Sequence, residues 1–200
     1  MVTDDNGLRQ QVGRVRQKAR TRQALVKTLH TLLAAGIDPS VADVAEAAGI
    51  SRTTAYRYFR DQQALLQSAI PETASSTLLP DSVDRDPRIR FELALAAHFD
   101  FIRRWEPQLR AALRASLLPG APQPGLRGGR AVVWYADALS PLESERPEID
   151  LHDLAVRLRS VAGIEPYIWL TDVGAVDPDH AFEIMRDNAA AVLEDALGSS

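Results

Sequence analysis

Arg52, Thr53, Thr54, Tyr56, Arg57 and Tyr58 place six hydrogen-bond donors within seven positions, and no Asp or Glu occurs from Gly49 through Arg60. Guanidinium, hydroxyl and phenol groups in that company neutralise and hydrogen-bond anions; they offer no covalent chemistry. A guanidinium fork can hold a phosphate, or the two acceptors on a guanine edge, through parallel bonds. Thr and Tyr hydroxyls supply single bonds to phosphate oxygens. A helix face kept only for solubility would mix in acids, so this set points to recognition of a polyanion.

The flanking residues explain how such a face is held. Val41, Val44, Ala45 and Ala48 recur at i, i+3, i+4 and i+7, which predicts a short helix burying a narrow face of small residues. Ser40 and Asp43 form a capping box at its start. Gly49 supplies a position tolerant of left-handed backbone, and Ile50 follows as an apolar plug. Ser51 is placed to cap a second helix over Arg52 to Phe59, which buries Ala55 and Phe59 and leaves the donors outside. Two short helices around a glycine turn describe a helix-turn-helix that reads DNA.

The run Gly49-Ile50-Ser51, then Thr54, Tyr56, Tyr58 and Phe59, resembles the signature of the TetR family of bacterial transcription regulators, over residues 20–68. The resemblance implies a two-fold dimer with an amino-terminal three-helix DNA-binding domain and a larger helical domain that binds a small effector. It assigns Arg52, Thr53 and Arg57 to base edges, and Thr54, Tyr56 and Tyr58 to phosphates. With the two cap residues Ser40 and Ser51, these make up the expected DNA-facing set. The chain departs from the family pattern at Gln62, where a lysine usually begins the fourth helix; Arg60 is the candidate substitute. Repression of a promoter by binding a palindromic operator, with release by the effector, is the family's commoner mode.

Charge is distributed in keeping with a DNA-binding end. The net charge is −4, yet residues 1–70 hold 10 Arg and Lys against 6 Asp and Glu, and residues 71–200 hold 13 against 21. A basic end on an acidic body is the expected footprint of local DNA binding. Lys18 and Lys27 are the only lysines; the other basic residues are arginines. The chain has no cysteine, which removes thiol catalysis and Cys-ligated zinc. The four histidines, His30, His98, His152 and His180, stand far apart without an HExxH pairing, and there is no GxSxG elbow or phosphate-binding Gly-rich loop. No catalytic residue, metal site or cofactor is expected. The rival readings are a helical interaction protein without DNA binding and, further off, a small helical enzyme using scattered carboxylates. With no leader and no long apolar run, the expected location is the cytoplasm, with no membrane partner.

The expected architecture is all-α, with a flexible basic arm (1–19), a helix-turn-helix domain (20–70) and a helical effector-binding and dimerisation domain (71–200). A first helix is expected from Thr21 to Ala35, burying Leu25, Leu29, Leu32 and Leu33. Asp61 should cap a fourth helix that Pro71 ends, with a connection over 71–86. Asp86-Pro87 and Asp177-Pro178 read as cap-and-proline helix starts. The helix to Trp105 should bury Phe91, Leu95, Phe99 and Ile102, and the next, from Pro107, should bury Leu109, Leu113 and Leu117. Residues 119–129 read as an exposed loop, followed by helices over 130–142 and from Leu151 toward Val173, the latter disturbed near Gly163 and Pro166.

Two functions are expected of the larger domain. The last two helices, over 164–173 and 178–197, carry apolar residues too far round for one buried face each, which suggests a homodimer through them. The rings of Phe101, Trp105, Trp134, Tyr135, Tyr167 and Trp169, with His98, are the candidate lining of an effector pocket. The bland alternative for these rings is ordinary core. Arg103, Asp172 and the two tyrosine hydroxyls join His98 as candidates for fixing a ligand's orientation.

Overall fold

The computed structural model describes residues 5–70, 77–118 and 129–198, with side chains from residue 13 onward. Among these residues every regular element is helical, and the chain divides into two compact units: Met1–Pro71 with Pro107–Gln123, and Glu72–Glu106 with Pro124–Ser200.

The first unit contains α1 (Asp5–Ala34), α2 (Val41–Ala47), α3 (Arg52–Tyr56), α4 (Gln62–Gln67) and the later part of α5 (Pro87–Ser116). Leu25, Leu29 and Leu33 of α1 pack with Val41, Val44 and Ala45 of α2, and Ala55, Phe59, Leu65, Leu66 and Ala69 complete the same core. α1 ends in a left-handed cap: Gly36 has φ of +75°, and the Ile37 N–H reaches back to the Leu32 carbonyl at 3.0 Å.

Two expectations are corrected here. α1 begins at Asp5, so the stretch read as an unstructured arm is helical from that residue. Gln, Arg and Lys are good helix formers, and they extend the helix without the apolar stripe that marks it from Thr21. The segment after Pro107 belongs to the first unit, and its leucines do not form the buried row. Ala111 and Ala115 join the core of this first unit, while Leu117 is 69% exposed. Small side chains let this segment approach closely: Gln108 donates to the His30 carbonyl at 3.1 Å, and the Ala115 carbonyl accepts from Gln63 at 2.9 Å.

α5 itself is interrupted. Trp105 has φ −120° and ψ 18°, outside helical values. Pro107 lacks the N–H that would bond the carbonyl four residues back, and its ring crowds that turn. The chain passes from one unit to the other at this break.

The second unit holds the earlier part of α5 with α6 (Gly129–Ala138), α7 (Leu142–Glu145), α8 (Leu151–Val161), α9 (Ile164–Ile168) and α10 (Pro178–Gly198); a wider π turn (Trp169–Val173) continues α9. Asp86 and Asp177 each accept the backbone N–H two residues on, at 2.8 and 2.9 Å, ahead of a proline-started helix. Phe91, Leu95, Phe99 and Ile102 are buried as their spacing predicts, together with Trp134, Tyr135, Leu154, Leu158, Phe182, Met185 and Leu193. The helix expected over 130–142 stops at Ala138, and Pro141 precedes the short α7. Among the described residues no helix is long and apolar enough to cross a membrane. The loop expected over 119–129 falls, except for its last residue, outside the described residues, as does the start of the 71–86 connection.

Candidate functional site

The donor-rich face of α3 is built from its caps inward. At Ser40 the backbone N–H and the hydroxyl both donate to the Asp43 carboxylate, at 2.8 and 2.7 Å, and the hydroxyl accepts from the Asp43 N–H at 3.2 Å. These bonds hold the Asp43 carboxyl below its usual range. Gly49, at φ +65°, closes α2: its N–H donates to the Glu46 carbonyl at 3.0 Å, and the Ile50 N–H reaches the Ala45 carbonyl at 2.9 Å. That pair of bonds is the Schellman arrangement, and it sets the direction in which the chain enters α3.

α3 then presents its donors. Ser51 accepts from the Thr54 N–H at 3.3 Å, and the Ser51 and Thr54 hydroxyls share a hydrogen bond of 2.8 Å. Ala55 and Phe59 turn inward, at 1% and 4% exposure. Arg52, Thr53, Tyr56 and Arg57 are exposed, whereas Thr54 and Tyr58 are half-buried. Tyr58 packs its ring against the core. Arg52 lies 3.6 Å from the Glu46 carboxylate, with both side chains largely exposed. Exposed pairs of this kind are worth little in water and give way readily to a phosphate or a base. The helical span is shorter than expected, ending at Tyr56 with Arg57 as its cap.

Gln62 explains the departure from the family pattern. Its amide donates to Asp38 Oδ1 and to the Pro39 carbonyl, both at 3.2 Å, tying the start of α4 to the turn before α2. Asp38 is also the partner of Arg114, at 2.5 Å. The side chain in the lysine position therefore braces the domain internally. Arg60, the candidate substitute, is exposed and paired with the neighbouring Asp61 at 3.0 Å.

The structural division sharpens the charge contrast. The first unit carries 12 Arg and Lys against 6 Asp and Glu, and the second 11 against 21. The two arginines that move into the basic unit are Arg110 and Arg114 of α5.

In the second unit the expected pocket residues separate into groups. His98 Nδ1 and the Tyr135 hydroxyl share a hydrogen bond of 2.7 Å; the two residues are 6% and 0% exposed. The Trp134 ring meets His98 edge-on at 5.7 Å and Phe101 at 5.9 Å. Burial, with a smaller contribution from the Arg159 charge, pushes His98 down to about 3, and burial raises Tyr135 above its ordinary value. Both groups are neutral at pH 7. Tyr167 sits elsewhere, stacked on Phe182 at 4.9 Å, with its hydroxyl donating to Glu106 at 3.1 Å. Arg103 lies over the other ring partner, its guanidinium carbon 4.0 Å from the Phe182 centroid.

Two members of the expected pocket are not gathered with the rest. Trp105 is half-buried at the break in α5, with Arg104 against its ring. Trp169 is 60% exposed. Trp169 follows the buried Ile164 by five residues, about 140° round a helix, and so faces outward. Asp172 is exposed and accepts from the Thr171 hydroxyl at 2.9 Å.

Arg159 escaped the sequence reading. Its guanidinium donates to Glu165 at 2.6 Å and covers Gly163 so closely that a Cβ there would meet it at 2.1 Å. The glycine four residues downstream was the available signal: it leaves room for the arginine to fold over its own helix end.

Residues 25–69 match the family model described as bacterial regulatory proteins, tetR family. The match begins at Leu25 and ends at Ala69, the first and last fully buried residues of α1 to α4 and the turn that follows. No curated protein and no solved structure matches the chain. Over these residues the chain is similar to the bacterial regulatory proteins of the tetR family, which supports a DNA-binding transcriptional regulator.

Proposed function

We propose that this chain is a tetR-family regulator and acts as a dimeric repressor, binding a palindromic operator and leaving it when a small effector binds the second unit. The observation that carries the DNA reading is the exposed, acid-free surface of α3, with Arg52, Thr53, Tyr56 and Arg57 outward on a helix locked by the Gly49 turn. Arg52, Thr53 and Arg57 are assigned to base edges, and Thr54, Tyr56 and Tyr58 to phosphates. Ser40 and Ser51 serve mainly as caps, their hydroxyls already engaged within the domain.

The dimer reading draws on apolar surface near the end of the chain. Trp169 and Val173 are 60% and 69% exposed, and α10 packs on the turn that carries them. Ile184 and Val192 of α10 are half-buried beside its inward row of Ala181, Phe182, Met185, Ala189 and Leu193. A second copy would cover this surface by two-fold pairing.

For the effector, the region proposed is that of the neutral His98–Tyr135 pair with Trp134 and Phe101, whose rings and few polar groups would favour an apolar ligand. α5 links this region to the DNA-reading unit, since one helix supplies His98 and Phe101 to one core and Gln108 and Ala115 to the other. A ligand can act only through unequal affinity for the two arrangements, typically about 1–3 kcal/mol of coupling.

The test is selection of bound duplexes from random DNA by the full-length chain, with mass measured by light scattering. The expected result is an inverted repeat, its half-sites about 34–36 Å apart or a multiple of that, bound by a species of twice the chain mass. A chain that enriches no sequence, or a monomer at micromolar concentration, would contradict the reading.

A further inference from the structure

α1 is longer than the domain that needs it. It starts at Asp5, yet every side chain from Gly13 to Arg20 is exposed, and Thr21 is its first half-buried residue among those described. The family match begins only at Leu25, so residues 5–24 of α1 lie outside the matched stretch. From Asp5 to Arg20 this extension reaches about 24 Å at 1.5 Å per residue.

The extension is electrostatically unfavourable on its own. Arg14 with Lys18, and Arg16 with Arg20, are like charges one turn apart, and no Asp or Glu lies between Gly13 and Ala24. Such pairs destabilise a helix, and a helix of this length without packing is marginal in water. Continuity with the buried half of α1 keeps it nucleated, and a polyanion would turn the repulsion into attraction.

Its direction follows from the register. At 100° per residue, positions 14, 18, 25 and 29 fall within about 60° of one another. Leu25 and Leu29 of this stripe are buried in the core, so Arg14 and Lys18 continue the inward-facing stripe beyond the domain's edge. That edge is next to the recognition segment: the guanidinium carbon of Arg22, one turn after Lys18, lies 6.0 Å from the ring centroid of Phe59, just past the end of α3.

We propose that the amino-terminal extension of α1 is a second DNA-contact element, in which Arg14 and Lys18 grip the phosphate backbone flanking the bases read by α3. This rests on the DNA-binding reading of α3, deepens it, and adds no sequence information: phosphate contacts position and strengthen, whereas base contacts specify.

The test uses the full-length chain and a duplex selected from random DNA, with affinity measured by fluorescence anisotropy across a salt series. Each neutralised phosphate contributes about −0.9 to the slope of log affinity against log salt, so R14Q/K18Q should make it shallower by about 1.8 per bound chain. Base preference should be unchanged. R16Q/R20Q, on the opposite stripe, should change the slope much less. Circular dichroism should show wild-type helicity rising when duplex is added, and less rise with R14Q/K18Q. All four residues are exposed, and an unchanged melting temperature without DNA checks that the variants fold.

An unchanged slope in R14Q/K18Q would overturn the proposal, as would equal losses from the two pairs or a changed base preference. If vesicles containing anionic phospholipid, and not duplex DNA, depended on Arg14 and Lys18, the partner would be a membrane and the proposal wrong. A wild-type chain that binds no duplex would instead remove the reading of α3 on which this one stands.

Discussion

The two units treat polar groups in opposite ways. On α3, Arg52 and Tyr56 stand in water, held at most by an exposed ion pair to Glu46. In the second unit, His98 and Tyr135 are buried and bonded to each other, with rings closing round them. The first arrangement costs little to rearrange when an anion arrives. The second makes unpairing expensive, because a buried donor or acceptor without its partner loses its hydration as well as its bond. Surface donors are therefore available for recognition, whereas the buried pair contributes to stability and changes only with its surroundings.

The largest expected effect lies in the buried pair. Tyr135→Ala should destabilise the second unit by about 3–5 kcal/mol, as removal of a buried ring does elsewhere. Urea unfolding followed by tryptophan fluorescence reads this directly, since Trp134 adjoins the site. A loss under 1 kcal/mol would mean that the cluster is loosely packed, and the contrast with α3 would collapse.

Next comes pH. His98 is depressed in the fold to about 3 from an ordinary 6.5. The unfolded chain therefore binds a proton that the folded chain refuses between those values, so stability contributed by this residue is full above about pH 6.5 and declines as pH falls toward 3. The slope is about 1.4 kcal/mol per pH unit within that window. His98→Gln removes the titrating group. Subtracting its pH profile from that of the wild type should isolate the slope, and identical profiles would show that His98 accepts a proton in the fold.

On the other side of the comparison, Arg52→Ala should leave folding nearly unchanged. It should relax preference at one or two base pairs by about 1–3 kcal/mol if the contact is bidentate to guanine. Repeating the duplex selection with the variant measures it. Tyr56→Phe is the smallest change, expected to weaken binding to all sequences alike by about 1 kcal/mol. If Tyr56→Phe altered the preferred sequence while Arg52→Ala did not, the base and phosphate assignments would be reversed.

How legible the molecule was depended on whether a rule of local chemistry governed the position. The Ser40–Asp43 box, the left-handed Gly49, the Ser51 cap and the Asp61 cap on Ala64 are all chemistry within a few residues, readable without the fold. The same holds for the inward row Phe91, Leu95, Phe99 and Ile102, whose large side chains mark a helical face unmistakably. What was not legible depended on distant partners. Leu109, Leu113 and Leu117 made a plausible apolar row, but close approach favoured the small Ala111 and Ala115. The extension of α1 carries no apolar stripe, so periodicity gave no reason to draw a helix there. Rings attract a pocket reading wherever they fall, and only the fold separates Tyr167 and Trp169 from His98 and Trp134.

The break at Trp105 has a consequence for how the chain comes apart. A continuous helix of 30 residues would have to fray from its ends, and its centre would be its best-protected stretch. Here the centre lacks a backbone donor at Pro107, and the two halves are anchored in separate cores. Amide exchange should therefore be fast in the middle of α5 and slow on both sides. On heating, the halves are free to melt as two cooperative blocks at different temperatures, with one half of the helix surviving the loss of the other.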